Sequence, residues 1–133
     1  MPAAPFRAHL RLLLDRSGLP WPVMAMTAGV STRLVGRLLG VTQSRQLPKL
    51  PRDSALRLFY LSDQRLAELA RTRIPADDAR RQVEELLARG CSPLALARYC
   101  RLSTAELDTL RHSSTCTELT ALLVRSARLQ YPG

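Results

Sequence analysis

A cluster of hydrogen-bonding side chains between Ser31 and Arg37 carries the clearest chemistry in this 133-residue chain. Arg33 and Arg37 are four residues apart, so a helix places both guanidinium groups on one face. An arginine side chain can donate two hydrogen bonds to O6 and N7 of guanine. Ser31 and Thr32 stand at the start of this helix, where hydroxyl groups and free amides suit phosphate oxygens. The cluster predicts base contacts by Thr32, Arg33 and Arg37 and a phosphate contact by Ser31; the alternative is a solvated pair of arginines.

A polar segment follows the cluster and adds groups that could hold a phosphate backbone. Its candidates are Gln43, Ser44, Arg45 and Lys49. A solvated loop explains these residues equally well. Gly36 is expected on the exposed side of the preceding helix, where the lack of a side chain would let the wall of a DNA groove approach closely.

Residue combinations that support catalysis or metal binding are missing from the sequence. Its two histidines, His9 and His112, have no paired nucleophile and no metal-ligand spacing. The three cysteines include no CxxC pair, and Cys100 is expected to be a small buried apolar residue. We therefore expect no enzymatic activity, no metal site and no cofactor.

The arginine cluster lies inside residues 18–39, whose spacing is typical of a helix-turn-helix. Ala25 is small enough for two helices to cross closely, and Gly29 suits a turn at positive φ. Val35 and Leu38 supply the inner face of the second helix. This segment predicts a helix pair with the arginines on its outer side.

Residues 90–111 repeat the same frame without a gap, with Arg101 in place of the turn glycine. Two matching copies in one chain favour a duplicated helix-turn-helix over a plain helical bundle that shares the spacing. Glu106 and Asp108 lie on the outward side of the second copy, where phosphate charge would repel them. We expect this degenerate copy to pack or to bind a partner rather than to contact DNA.

Leucine and alanine dominate the composition, which favours an all-α fold. Hydrophobic periodicity and capping signals predict about eight or nine short helices and no strand. Helix-capping side chains are expected at Asp53, Ser62, Ser103 and Thr115. The step Ile74–Pro75 is the expected boundary between a first helix-turn-helix domain, 1–74, and a second domain, 75–133.

The formal net charge is +9. Residues 1–59 hold nine Lys and Arg against two acids, a net charge of +7, and these include Arg7, Arg11 and Arg16. A domain this basic commonly binds nucleic acid or another polyanion. No apolar run is long enough to span a bilayer, and residues 1–18 hold only a short apolar stretch interrupted by charges. We therefore expect no secretory signal and a cytoplasmic protein that contacts no membrane.

The run SGLPWPVMAMTAGVSTRLVGRLLG followed by RDSALRLFYL resembles tandem helix-turn-helix DNA-binding proteins of actinobacteria and their phages, in the class of lambda-type repressors and Cro. The resemblance implies that the second motif helix enters the major groove with its N-terminal residues facing base edges. It implies sequence-specific binding of double-stranded DNA and regulation of transcription, most simply repression by occlusion.

An alternative function is an adaptor that holds a sigma factor or another regulator on a helix-turn-helix scaffold.

The last helix carries an apolar run that includes Leu119, Leu122, Leu123 and Val124. Such a face is wide enough to cover its own motif and leave surface for a partner. Residues 76–133 are therefore expected either to dock on the first copy or to pair two chains as a homodimer.

Overall fold

A computed structural model of the chain describes residues 1–41 and 47–131. These residues form nine α-helices and one two-stranded sheet, which confirms the prediction of an all-α fold with eight or nine helices. No helix within them is long and apolar enough to cross a membrane.

The structure divides into two compact units, Met1–Ala67 and Glu68–Gly133, and the division falls within a short helix. The sequence predicts the boundary later, at Ile74–Pro75. Residues Arg73–Pro75 lie in the second unit because their backbone pairs with Thr115–Thr117. Pairing between segments so far apart in the chain leaves no local mark at which a boundary could be recognised.

Helices α1 to α5 begin in the first unit. Their bounds are α1 Ala4–Ser17, α2 Trp21–Ala28, α3 Thr32–Leu39, α4 Arg52–Phe59 and α5 Asp63–Leu69. Helix α1 contacts α3 and α4, and α2 also contacts α3 and α4. The core between them consists of fully buried side chains, which are Leu10, Val23, Met24, Ala25, Val35, Leu38, Ala55 and Leu58. The positions that the helix-turn-helix pattern assigns to the inner faces are therefore buried.

The start of α4 differs from the prediction, because Asp53 does not cap it. The helix begins at Arg52, directly after Pro51, whose backbone (φ −56°, ψ 144°) occupies the cap position without a side-chain hydrogen bond. Asp53 lies instead in the first turn, where a carboxylate interacts favourably with the helix dipole. Ser62 is confirmed as the cap of α5, since its Oγ accepts a hydrogen bond from the amide of Arg65 at 3.1 Å.

The second unit contains the sheet and the remaining helices. Their bounds are β1 Arg73–Pro75, α6 Asp77–Ala88, α7 Pro93–Tyr99, α8 Thr104–Leu110, β2 Thr115–Thr117 and α9 Glu118–Gln130. Helix α6 packs along α9, and α7 contacts α8 and α9. Strands β1 and β2 pair antiparallel with Ile74 opposite Cys116. The prediction of no strand is thus wrong, because strands of three residues are too short to show an alternating pattern.

Thr115 does not open the last helix, contrary to the predicted capping box. It lies in β2, and the cap is Thr117, whose Oγ1 accepts a hydrogen bond from the amide of Thr120 at 3.0 Å. Strand pairing fixes an extended backbone at Thr115 and so delays the start of the helix. Ser103 is confirmed as the cap of α8, where it exchanges two hydrogen bonds of 3.0 Å with Glu106.

The turns in the two predicted helix-turn-helix copies have the same backbone conformation. In the first copy Gly29 has φ 72°, and the amide that follows it donates to the carbonyl of Ala25 at 2.9 Å. In the second copy Arg101 has φ 61°, and the amide that follows it donates to the carbonyl of Ala97 at 2.8 Å. The second copy therefore keeps the turn, although it lacks the glycine that adopts this conformation without strain.

This strain at Arg101 predicts a difference between two variants. We expect Arg101→Gly to unfold with a free energy about 1 kcal/mol higher than Arg101→Ala, because both lose the side chain and only alanine keeps the left-handed strain. Urea unfolding of the two variants measures the difference. Equal stability would contradict a strained turn in the second copy.

The buried thiol of Cys100 predicts a dependence of stability on pH. Burial raises the pKa of Cys100 from its ordinary value of 9.0 to about 12. Between these values only the unfolded chain releases the proton, so the free energy of unfolding falls as pH rises above 9. We expect Cys100→Ala to show a shallower fall than the unmodified protein in urea unfolding below and above this pH. A fall of the same steepness in both proteins would argue against the effect.

Candidate nucleic-acid interface

The exposed side of α3 carries the cluster that the sequence singles out. Ser31 caps the helix, and its Oγ accepts a hydrogen bond from the amide of Leu34 at 3.4 Å. Arg33 is exposed, and Thr32 and Arg37 are half-buried. The opposite side of α3 is buried in the core of the first unit. Folding thus brings all four side chains of the cluster onto or beside one outer surface.

Arg33 and Arg37 keep their guanidinium groups available for a ligand. Within residues 1–41 and 47–131, neither side chain makes a hydrogen bond or an ion pair. Gly36, expected on the exposed side, is buried. Helix α3 packs against both α1 and α2, so its buried arc is wider than a single stripe and includes this glycine.

Two arginines of α1 hold the C-terminal end of α3. Arg7 donates from Nε to the carbonyl of Leu38 at 2.7 Å and from Nη2 to the carbonyl of Leu47 at 3.1 Å. Arg11 donates from Nη2 to the carbonyl of Leu39 at 3.3 Å. The last carbonyls of a helix carry its negative partial charge, which favours cationic partners there.

A third arginine holds the turn before α3. Arg57 of α4 donates from Nη1 to the carbonyl of Gly29 at 2.7 Å. The sequence predicts Arg7, Arg11 and Arg57 as part of a basic surface and does not indicate their hydrogen bonds to backbone carbonyls. The one signal that could have indicated them is the spacing of Arg7 and Arg11, which places both on one face of α1 beside core leucines.

The predicted phosphate-binding segment is described only in part. Three of its candidates lie outside the described residues: Gln43, Ser44 and Arg45. Lys49 is exposed, and its segment runs beside the end of α3, where the amide of Leu47 donates to the carbonyl of Arg37 at 3.4 Å. The same segment pairs with the start of the chain through Met1 and Leu50, at 2.8 Å between the amide of Leu50 and the carbonyl of Met1. These contacts place the backbone of Lys49 close to the candidate interface.

The second copy presents a different set of side chains around α8. Glu106 accepts a hydrogen bond from the amide of Ser103, which holds the pKa of that carboxyl below its ordinary range. Arg111 donates to Glu84 at 2.7 Å and lowers the pKa of the Glu84 carboxyl. Asp108 is exposed. The outer side of α8 therefore carries carboxylates where the outer side of α3 carries Arg33 and Arg37.

The described residues also bear on the possibility of a metal site. In the part of the chain that the structure describes, no group of three or more His, Cys, Asp and Glu side chains could hold a metal ion. Comparisons with protein-family models, curated proteins and solved structures found no match to the chain.

Proposed function

We propose that this protein binds double-stranded DNA in a sequence-specific manner through α3 and regulates transcription, most simply as a repressor. The observation that carries the proposal is the outer side of α3, where Arg33 and Arg37 have no partner among the described residues, while other arginines bond carbonyls in the turn before α3 and at its C-terminal end. The resemblance to lambda-type helix-turn-helix proteins agrees with it. A protein with this role acts in the cytoplasm, beside the chromosome.

The contacts follow from the geometry of a major groove, which is wide enough to admit an α-helix. With α3 in the groove, Arg33 and Arg37 bond guanine edges and Thr32 contacts a neighbouring base. Ser31 and the amides at the start of α3 bind a phosphate, and Lys49 binds the phosphate backbone of the DNA near the C-terminal end of α3. A chain bound in this way occludes the DNA from polymerase, which is why repression is the simplest outcome.

Fluorescence anisotropy with genomic duplexes over a range of salt concentrations tests the proposal. We expect log K to fall as log salt rises, with a slope of about −2 to −3, as for phosphate contacts by Lys49 and one or two further cationic side chains at about −0.9 each. The slope is small for so basic a chain because Arg7, Arg11 and Arg57 bond backbone carbonyls and Arg16 pairs with Asp63 at 3.0 Å.

A slope near zero, or no binding to any duplex at low salt, would contradict DNA binding. Arg125→Ala is the matched control, because Arg125 is an exposed arginine on α9 without a partner among the described residues. Arg125→Ala removes one positive charge from the second unit, as an alanine at Arg33 or Arg37 does from α3. We expect this control variant to bind duplexes with unchanged affinity.

For the second copy we propose a packing or partner-binding role, with pairing of two chains through residues 76–133. The apolar run on α9 is largely covered within its own unit, since Leu123 and Val124 are buried and Leu119 and Leu122 are half-buried. The surface left for a second chain is therefore narrower than the sequence suggests. Sedimentation analysis distinguishes a monomer from a homodimer.

An apolar outer face on α4 favours a second candidate function, the adaptor that holds a sigma factor or another regulator. Leu56, Phe59 and Tyr60 are 43, 65 and 75 % exposed, and the two rings meet edge to face with centroids 5.7 Å apart. Exposed apolar patches with aromatic residues mark protein interaction sites. If the chain is an adaptor, Phe59→Ser combined with Tyr60→Ser abolishes binding of the partner protein. The unmodified protein then binds no DNA duplex.

A further inference from the structure

Arginines of the first unit bond backbone carbonyls at both ends of the α3 segment, and they come from α1 and α4 rather than from α3 itself. We infer that Arg57 and Arg7 are positioning residues, which orient α3 for its base contacts and do not bind phosphate. The inference rests on the proposed function, because the orientation matters for DNA only if α3 enters the groove.

Arg57 fixes the start of α3. Gly29 ends α2, and only Val30 separates it from Ser31, the cap of α3. The 2.7 Å bond from Arg57 to the carbonyl of Gly29 joins residues 28 apart in the chain and ties this turn to α4. Since α4 packs against α1 and α2, the helices on which α3 also packs, this bond adds a link between the turn before α3 and the rest of the unit.

Arg7 fixes the other end. Its two bonds reach the carbonyls of Leu38, in the last turn of α3, and Leu47, in the segment that follows. Both bonds are partly buried, at 2.7 Å and 3.1 Å. One side chain of α1 therefore holds the end of α3 and the segment that carries Lys49 in fixed relation.

The chemistry of these bonds sets positioning apart from phosphate binding. A guanidinium bonded to a carbonyl keeps its charge, so net charge overstates the number of side chains that can reach DNA. Its planar fork also gives each bond a direction that the ammonium of lysine does not provide. A phosphate contact by Arg57 would require the bond to Gly29 to break and the turn to be released.

Duplex binding distinguishes the two roles. In Arg57→Lys, Arg57→Gln and Arg7→Lys we expect affinity for the preferred site to fall about tenfold, as when a bidentate base contact is lost. Affinity for unrelated duplexes and the salt slope should stay the same, because no phosphate contact is removed.

A phosphate-binding arginine would behave in the opposite way. Lysine would restore binding, glutamine would weaken binding to all sequences equally, and the slope would fall by about 1. That result, or unchanged affinity in all three variants, would overturn the inference. Arg52→Gln is the control, since Arg52 lies exposed on α4, the helix of Arg57, without a partner among the described residues. We expect this variant to show no selective loss of affinity for the preferred site.

A second measurement needs no DNA. Residual dipolar couplings report the orientation of α3 relative to α1 and α4 in the free protein. We expect Arg57→Gln to change this orientation while the midpoint of thermal unfolding stays nearly the same. An unchanged orientation would refute the positioning role whether or not the protein binds DNA. If the couplings change but the unmodified protein binds no duplex, the proposed function fails and the positioning contact stands.

Discussion

Arg33→Ala and Arg37→Ala are each expected to weaken binding to the preferred duplex by roughly 1–3 kcal/mol, with a smaller loss on unrelated duplexes. Neither side chain has a partner within the described residues, so we expect their removal to weaken DNA binding without breaking a hydrogen bond or ion pair of the described fold. Anisotropy titrations at one salt concentration measure both losses. The double variant then measures how strongly two contacts one helical turn apart are coupled.

Lysine at the same positions is the informative control. Arg33→Lys keeps the charge but loses the fork that donates two bonds to guanine, so we expect discrimination between duplexes to fall more than overall affinity. Equal loss on every sequence would reduce Arg33 and Arg37 to phosphate contacts. Full specific binding by the double alanine variant would exclude α3 as the reading helix.

Leu86→Ala is expected to lower the free energy of unfolding by roughly 2–5 kcal/mol. Leu86 is 0 % exposed on α6, and the packing of α6 along α9 builds the core of the second unit. Truncation leaves a cavity that closely packed neighbours fill only in part, so lost contacts add to the lost burial. Urea unfolding followed by circular dichroism measures the change.

Leu94→Ala provides the comparison for this effect. Leu94 is a leucine of α7 that is 50 % exposed, so we expect its truncation to change the stability by no more than about 0.5 kcal/mol. If the two variants unfolded alike, the packing of α6 on α9 would be contradicted.

The sequence by itself determined the helices that form the candidate interface, because their signals are local. The cap at Ser31 needs only an amide three residues later, and the turn at Gly29 needs only a residue that tolerates positive φ. Arg33 and Arg37 share a face through the helical period alone. The same local logic found the second copy, whose turn is repeated at Arg101 despite the lost glycine.

Only the tertiary structure decided which basic side chains remain available and how the ends of α3 are held. Arg7, Arg11 and Arg57 look like surface charges in the sequence, yet each bonds a carbonyl that lies 28 residues or more away. Every residue carries a backbone carbonyl, so the sequence has no mark that identifies the one an arginine will reach. The burial of Gly36 and the short sheet at Arg73–Pro75 could not be predicted from the sequence either. Both depend on elements that meet only when a whole unit packs.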